Sequence, residues 1–347
     1  MNRILIYGAN GYTGALIAEE AVRRGLKPVL GGRNRDALES LAQRLHLTRR
    51  VFELADPAEI ARNLDGIDVL LNCAGPFVAT APPLLDACLA GHAHYLDITG
   101  EIDVYALCHH AHNRAKHQNL VVMPGVGFDV VPTDCVAAML KEKLPDATEL
   151  VLAFEAGGGP SPGTARTSIA GLPGGRVRRN GEITDVPVAY KVRDFVRDGT
   201  VRTAMTIPWG DVYTAYVSTG IPNIETYMAL PPKTIARMRW LRYAAPLLRI
   251  DAVRRSLEQQ AAARSRGPDA ERRRTAGSYV WGEVRNAAGR EAKLAISTPN
   301  GYALTVDAAL GILARVINRK PPGGYYTPSQ LMGARYVLSL PGVALAR

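Results

Sequence analysis

Gly8-Ala9-Asn10-Gly11-Tyr12-Thr13-Gly14 constrains the fold more than any other segment of the chain. It follows the strand-like apolar run Arg3–Tyr7 and opens the amphipathic run Thr13–Arg24. Gly8 permits a tight turn, Gly11 lets a phosphate approach the backbone, and Gly14 lets helix and strand pack closely. A helix beginning there presents N–H groups and a partial positive charge to an anion. The spacing is GxxGxxG rather than GxGxxG, so the strand before and the helix after carry the argument. Asn10, Tyr12 and Thr13 share the turn, with Tyr12 read as packing for the loop rather than as a proton donor.

The first 145 residues repeat that rhythm. Strands are expected at Pro28–Gly31, Arg50–Leu54, Val69–Asn72, His94–Ile98 and Leu120–Met123. Helices are expected at Asp36–Leu45, Pro57–Asn63, Ala81–Ala90, Asp103–Gln118 and Pro132–Lys143. Alternation of this kind builds a parallel sheet with its ligand at the carboxyl ends of the strands.

After Leu144 the pattern changes. Glu149–Ala156 reads as a strand and Gly157–Gly163 as a loop. Asn180-Gly181 joins Arg176–Arg179 to Glu182–Val186 in a hairpin. Strands follow at Arg202–Ile207, Val212–Ser218 and Glu225–Leu230, and a second hairpin at Ser278–Arg285 and Arg290–Ser297. The fold class is therefore α/β: a Rossmann doubly wound parallel sheet plus an α+β domain with a mainly antiparallel sheet. The expected domains are 1–130 for dinucleotide binding, 131–320 as substrate or cap domain, and 321–347 returning to the first. The helix Leu304–Asn318 is a further candidate for that return.

The second strand decides the cofactor. It ends Leu30-Gly31-Gly32-Arg33-Asn34-Arg35, with no carboxylate before Asp36. An acid there would accept the ribose hydroxyls and repel a 2′-phosphate, whereas a guanidinium grips that phosphate with bonds of about 1.5–3 kcal/mol each. The expectation is NADP(H), with Arg33 as main ligand and Asn34 and Arg35 beside it. Ala74-Gly75-Pro76, after the fourth strand, makes a small rigid turn that a cofactor could approach. Asp97, Thr99, Glu101 and Asp129 lie at other strand ends. Asp129 is the candidate catalytic residue, with helix capping or loop anchoring as its alternative.

These segments, with Asn72-Cys73-Ala74-Gly75-Pro76-Phe77, Tyr95–Glu101 and Pro124–Asp134, resemble the saccharopine dehydrogenase-like oxidoreductases. Within them the likeness is greatest to the branch containing the trans-acting enoyl reductases. Fainter matches are Gly163-Thr164, Gly267-Pro268 and Tyr326-Thr327-Pro328. The resemblance implies that Ala74–Pro76 sits beside the nicotinamide half of the cofactor. Short-chain reductases share the glycine pattern but use a Tyr-x-x-x-Lys pair, which is absent from this chain.

Other classes are disfavoured. Cys73, Cys88, Cys108 and Cys135 have no CxxC spacing and read as reduced core thiols. The histidines at 92, 94, 109, 110, 112 and 117 are not metal-spaced, and the pair His109 and His112 reads as solvated surface. No metal is expected. No apolar stretch approaches the roughly 18 residues of a membrane span, and the N-terminus shows no signal-peptide pattern, so a cytoplasmic location is expected. The net charge is +10, but Pro231–Thr275 carries 12 Lys or Arg against 4 Asp or Glu. No nucleic-acid-reading motif accompanies that surplus. Arg237, Arg239, Trp240, Arg242 and Tyr243, then Leu247, Leu248, Ile250 and Val253, allow contact with an anionic membrane or a lipid-like substrate. A helical excursion with its arginines outward is the preferred reading.

The leading functional expectation is an NADPH-dependent reductase of a C=C bond (enoyl-thioester-like) or a C=N bond (an amino-acid-derived imine), acting on a small molecule. The alternative is a non-catalytic NADP(H)-binding sensor or scaffold. A homodimer is a further possibility on architecture alone.

Overall fold

The computed structural model describes residues 3–170, 174–241, 243 and 250–346. The chain divides into two compact units: Met1–Val131 with Tyr302–Met332, and Pro132–Gly301 with Gly333–Arg347. The return to the first unit thus begins at the Gly301–Arg319 helix, and the last residues lie with the second unit. The boundary expected at 320 falls inside the returning segment.

In the first unit β1 (Ile4–Tyr7), α1 (Tyr12–Arg23), β2 (Val29–Gly32), α2 (Arg35–Leu45), β3 (Arg49–Val51) and α3 (Pro57–Leu64) form the first half. The second half is β4 (Val69–Asn72), α4 (Phe77–Ala90), β5 (His94–Asp97), α5 (Ile102–His110), α6 (His112–His117) and β6 (Val121–Met123). All seven strands run parallel in the order Gly324–Tyr325, β6, β5, β4, β1, β2, β3. The uninterrupted apolar runs of β1, β4 and β6 are buried throughout, as a sheet covered on both faces requires.

The helix expected over Asp103–Gln118 breaks at Ala111 into α5 and α6. His109 and His112 are not solvated surface. His109 stacks on Tyr325 with ring centroids 4.7 Å apart, and His112 Nδ1 accepts a bond from the Tyr325 N–H at 3.2 Å. They clamp the Gly324–Tyr325 strand onto the sheet edge. The Gly301–Arg319 helix is long and apolar enough to cross a membrane, but its apolar side, including Leu304, Leu310, Ile312 and Leu313, is buried.

The second unit holds α7 (Val131–Lys143), β7 (Ala147–Glu155), α8 (Pro162–Ala170), β8 (Gly175–Arg179), β9 (Glu182–Val186), β10 (Val192–Arg197) and β11 (Thr200–Thr206). Then come α9 (Asp211–Thr219), β12 (Asn223–Ala229), α10 (Pro232–Leu241), the helices Asp251–Arg264 and Ala270–Thr275, β13 (Ser278–Asn286) and β14 (Glu291–Thr298). Every pairing in this sheet is antiparallel except β12 with β7. Gly282, in the middle of β13, leaves room for α7: a Cβ there would lie 2.5 Å from Leu140 and Val136. Tyr227, Tyr279, Trp281 and Phe195 form a second buried cluster.

Two expectations fail here. Val212–Ser218 is helical, because Val212, Ala215 and Thr219 bury one face at helical spacing and Gly220 (φ +70°) ends the helix in the left-handed region. Gly163 lies inside α8, whose first residue is Pro162, a favoured opening position for proline. In the basic segment, Arg242, Leu247 and Leu248 lie outside the described residues.

His94 carries a pH dependence. Its Nδ1 accepts the Val121 N–H at 2.8 Å, joining β5 to β6, and burial pulls its pKa below the usual histidine value. The unfolded chain therefore takes up this proton at higher pH than the folded one. The stabilisation is complete above about pH 6.5 and is lost as pH falls below it. His94→Ala should flatten the fall in Tm between neutral and mildly acidic pH, and should cost about 1–3 kcal/mol at neutral pH by stranding the Val121 N–H. An unchanged acid limb in thermal melts would refute this role.

Candidate cofactor and active site

The sheet order reverses between β1 and β4, the switch point where this fold leaves a crevice. Gly8 has φ +78°, and the Gly8 and Ala9 N–H groups donate to Gly31 O at 2.8 and 3.1 Å. A Cβ on Gly8 would lie 2.8 Å from Ala74, and one on Gly14 only 2.3 Å from Gly8 O. The loops after β1 and β4 and the start of α1 therefore meet at backbone contact. The N-cap residue of α1 is Gly11, which brings no side chain of its own to the helix start. Asn10, Gly11, Gly75 and Pro76 are exposed, while Tyr12 and Thr13 are half-buried. Tyr12 packs edge-on against Tyr302, 4.8 Å between ring centroids. A helix start beside a glycine cradle is the geometry that accepts a pyrophosphate.

Past the end of β2, Arg33, Asn34 and Arg35 are all exposed. Asn34 is partly committed, since its Oδ1 accepts the Ala37 N–H at 3.1 Å and caps α2. Among the described residues Arg33 has no ion-pair partner, so its guanidinium remains available to a phosphate. The nearest acid in sequence, Asp36, lies in the first turn of α2. These residues fit an NADP-type cofactor.

A buried polar network shapes the neighbouring strand ends. Asn72 receives the Ala74 N–H at 3.0 Å and donates to Thr80 at 3.0 Å, while Thr80 donates to Ala74 O at 2.6 Å. Asp97 accepts from the Tyr95 hydroxyl at 2.9 Å, the Thr99 N–H at 2.9 Å and the Gly125 N–H at 3.0 Å. Burial nonetheless pushes its pKa up to about 7. Thr99 Oγ accepts the Glu101 N–H at 3.0 Å. Glu101 Oε1 and Oε2 accept the Phe77 and Val78 N–H groups at 2.9 and 2.8 Å. That carboxylate caps α4, the helix Ala74–Pro76 leads into, a role its position before α5 does not reveal. Asn72 and Tyr95 entered the sequence reading only as members of longer segments, with no role of their own. A polar residue ending the otherwise apolar run Val69–Leu71 was the available signal for Asn72.

Asp129 lies after β6, where a Cβ on Gly100 would be 3.1 Å from its carboxyl oxygen. Burial first, and the nearby Glu101 second, raise its pKa to about 7. The folded chain holds this proton where the unfolded chain has released it, so its cost to stability grows as pH rises from about 4 to about 7 and is full above that. Asp129→Asn should raise Tm at pH 8, with the advantage shrinking steadily toward pH 4. A Tm difference independent of pH would contradict this titration.

Comparisons with known proteins bear on the same region. Residues 4–122 match the family described as the saccharopine dehydrogenase NADP binding domain. The human saccharopine dehydrogenase-like oxidoreductase is 26% identical over 171 residues, covering 44% of this chain and 40% of that protein. A trans-acting enoyl reductase of Mycobacterium ulcerans is 29% identical over 147 residues, 38% of this chain and 33% of that protein. These alignments span less than half the length of either relative. Apo saccharopine dehydrogenase (L-Glu forming) from Saccharomyces cerevisiae superposes with a TM-score of 0.65 at 10% identity, covering 100% of both chains. At that identity the likeness concerns the fold. The glycine cradle and the acid-free second strand end both lie within the residues that match the saccharopine dehydrogenase NADP binding domain.

Proposed function

We propose that the protein is an NADPH-dependent oxidoreductase that reduces a polarised double bond in a small molecule. The bond is C=C in an enoyl-thioester-like substrate or C=N in an amino-acid-derived imine. The reading rests chiefly on one observation: a glycine cradle at the β1–β4 switch point, followed past β2 by an exposed Arg33 with no ion-pair partner among the described residues. When bound, the cofactor supplies a hydride to the electron-poor carbon.

The chain's own residues position, and one of them holds a proton. Gly8, Gly11 and Gly14 admit the pyrophosphate, and Arg33, with Arg35 near it, selects the 2′-phosphate. Ala74–Pro76, fixed by Asn72, Thr80 and Glu101, gives a rigid wall on the other side of the switch point. Burial raises the pKa of Asp129 to about 7, so its carboxyl keeps a proton to higher pH than an exposed aspartate does. That is the poise of a general acid. Reducing either bond type consumes a proton at the atom beside the reduced carbon, and Asp129 is the residue assigned to deliver it.

Calorimetric titration tests the cofactor reading. Arg33→Ala should weaken NADPH about tenfold or more, since one charge-assisted bond of about 1.5 kcal/mol is worth a decade, and should leave NADH unchanged. Equal losses for both nucleotides would show that Arg33 does not read the 2′-phosphate. NADPH oxidation with an enoyl thioester, and separately with an amine–keto acid pair, then discriminates the two bond types.

A further inference from the structure

The basic segment contains a surface that the nucleotide site does not use. Helix α10 docks through Ile235, which is buried, while Lys233, Ala236, Arg237 and Trp240 are exposed. Their spacing of i, i+3, i+4 and i+7 puts these four on one helical face. Trp240 and Tyr243 are each 75% exposed, with ring centroids 5.9 Å apart. Together with Arg239 and Ala236 they line a shallow cavity of about 290 Å³. Lys233, Arg237 and Arg239 have no ion-pair partners among the described residues. Across Pro231–Thr275 the charge surplus is 8, from 12 basic and 4 acidic residues.

We propose that α10 and Tyr243 form a docking surface for an anionic phospholipid membrane. Tryptophan and tyrosine have an apolar body and a polar tip, which suits the headgroup boundary, and leaving two such rings in water is otherwise unfavourable. Unpaired lysine and arginine on the same face meet the negative potential of acidic lipids. Charge complementarity therefore names the occupant: a surface apolar at shallow depth and anionic at its rim. Arginines turned outward account for the charge alone, and do not account for the two exposed rings beside them. The surface is peripheral in kind: among the described residues the helix long and apolar enough to span a bilayer, Gly301–Arg319, buries its apolar side in the first unit.

Co-sedimentation of the full chain with phosphatidylcholine–phosphatidylserine vesicles tests this, with phosphatidylcholine vesicles and polyuridylate as comparison probes. The wild type should bind the anionic vesicles, lose that binding as salt is raised, and show a blue shift of tryptophan fluorescence. Arg237→Glu with Arg239→Glu should weaken binding at least about tenfold, as two reversed charges at a charged surface require. Trp240→Ala with Tyr243→Ala should weaken it and abolish the blue shift. All four side chains are exposed, so Tm and NADPH affinity should be unchanged and serve as folding controls. Three results would overturn the proposal: no binding to anionic vesicles at low salt, binding that neither double variant alters, or binding of polyuridylate in place of vesicles.

Discussion

The structure of the first unit depends on one steric constraint, the absence of side chains where the β1 loop, the β4 loop and the start of α1 converge. A methyl group on Gly14 would stand 2.3 Å from Gly8 O, and one on Gly8 would stand 2.8 Å from Ala74. Backbone contact at these points brings the α1 N-terminus down over the carboxyl ends of β1 and β4. The same contact leaves exposed backbone where the sheet order reverses. Fold and phosphate site thus arise from the same few atoms.

Around that point the chain invests in buried polar groups. Asp97 gathers three donors from β5 and from the loops after β5 and β6, and Glu101 receives two N–H groups from α4. Burial raises the pKa of both carboxyls, against the hydrogen bonds that would lower it. Such groups cost stability and fix geometry, which is the usual compromise at a site that must hold a ligand in one orientation. Asp129, half-buried, belongs to the same set of strand-end loops.

Much of this was legible in sequence because it is local. The strand–glycine–helix context of Gly8–Gly14, the absence of an acid after β2 and the Asn180-Gly181 hairpin each depend on neighbours in the chain. What escaped depends on tertiary partners. Val212–Ser218 has the β-branched and aromatic composition of a strand, but burial of Val212, Ala215 and Thr219 on one face makes it a helix. β10 went unseen because it carries Arg193 and Asp194 and becomes a strand by pairing with β11. His112 looked like surface because its acceptor role toward Tyr325 spans more than 200 residues. Asn72 and Glu101 gained their roles from loops that only the fold brings together. The aromatic and basic character of Trp240 and its neighbours was plain, whereas their exposure was not.

The central claim is that NADPH lies across the β1–β4 switch point. Backbone deuterium exchange of the whole protein with and without NADPH tests it most directly. The account predicts slowed exchange at Gly8–Ala15, around Arg33–Arg35 and at Cys73–Val78, with the second sheet unaffected. Protection confined to the second unit, or no protection at saturating NADPH, would contradict it.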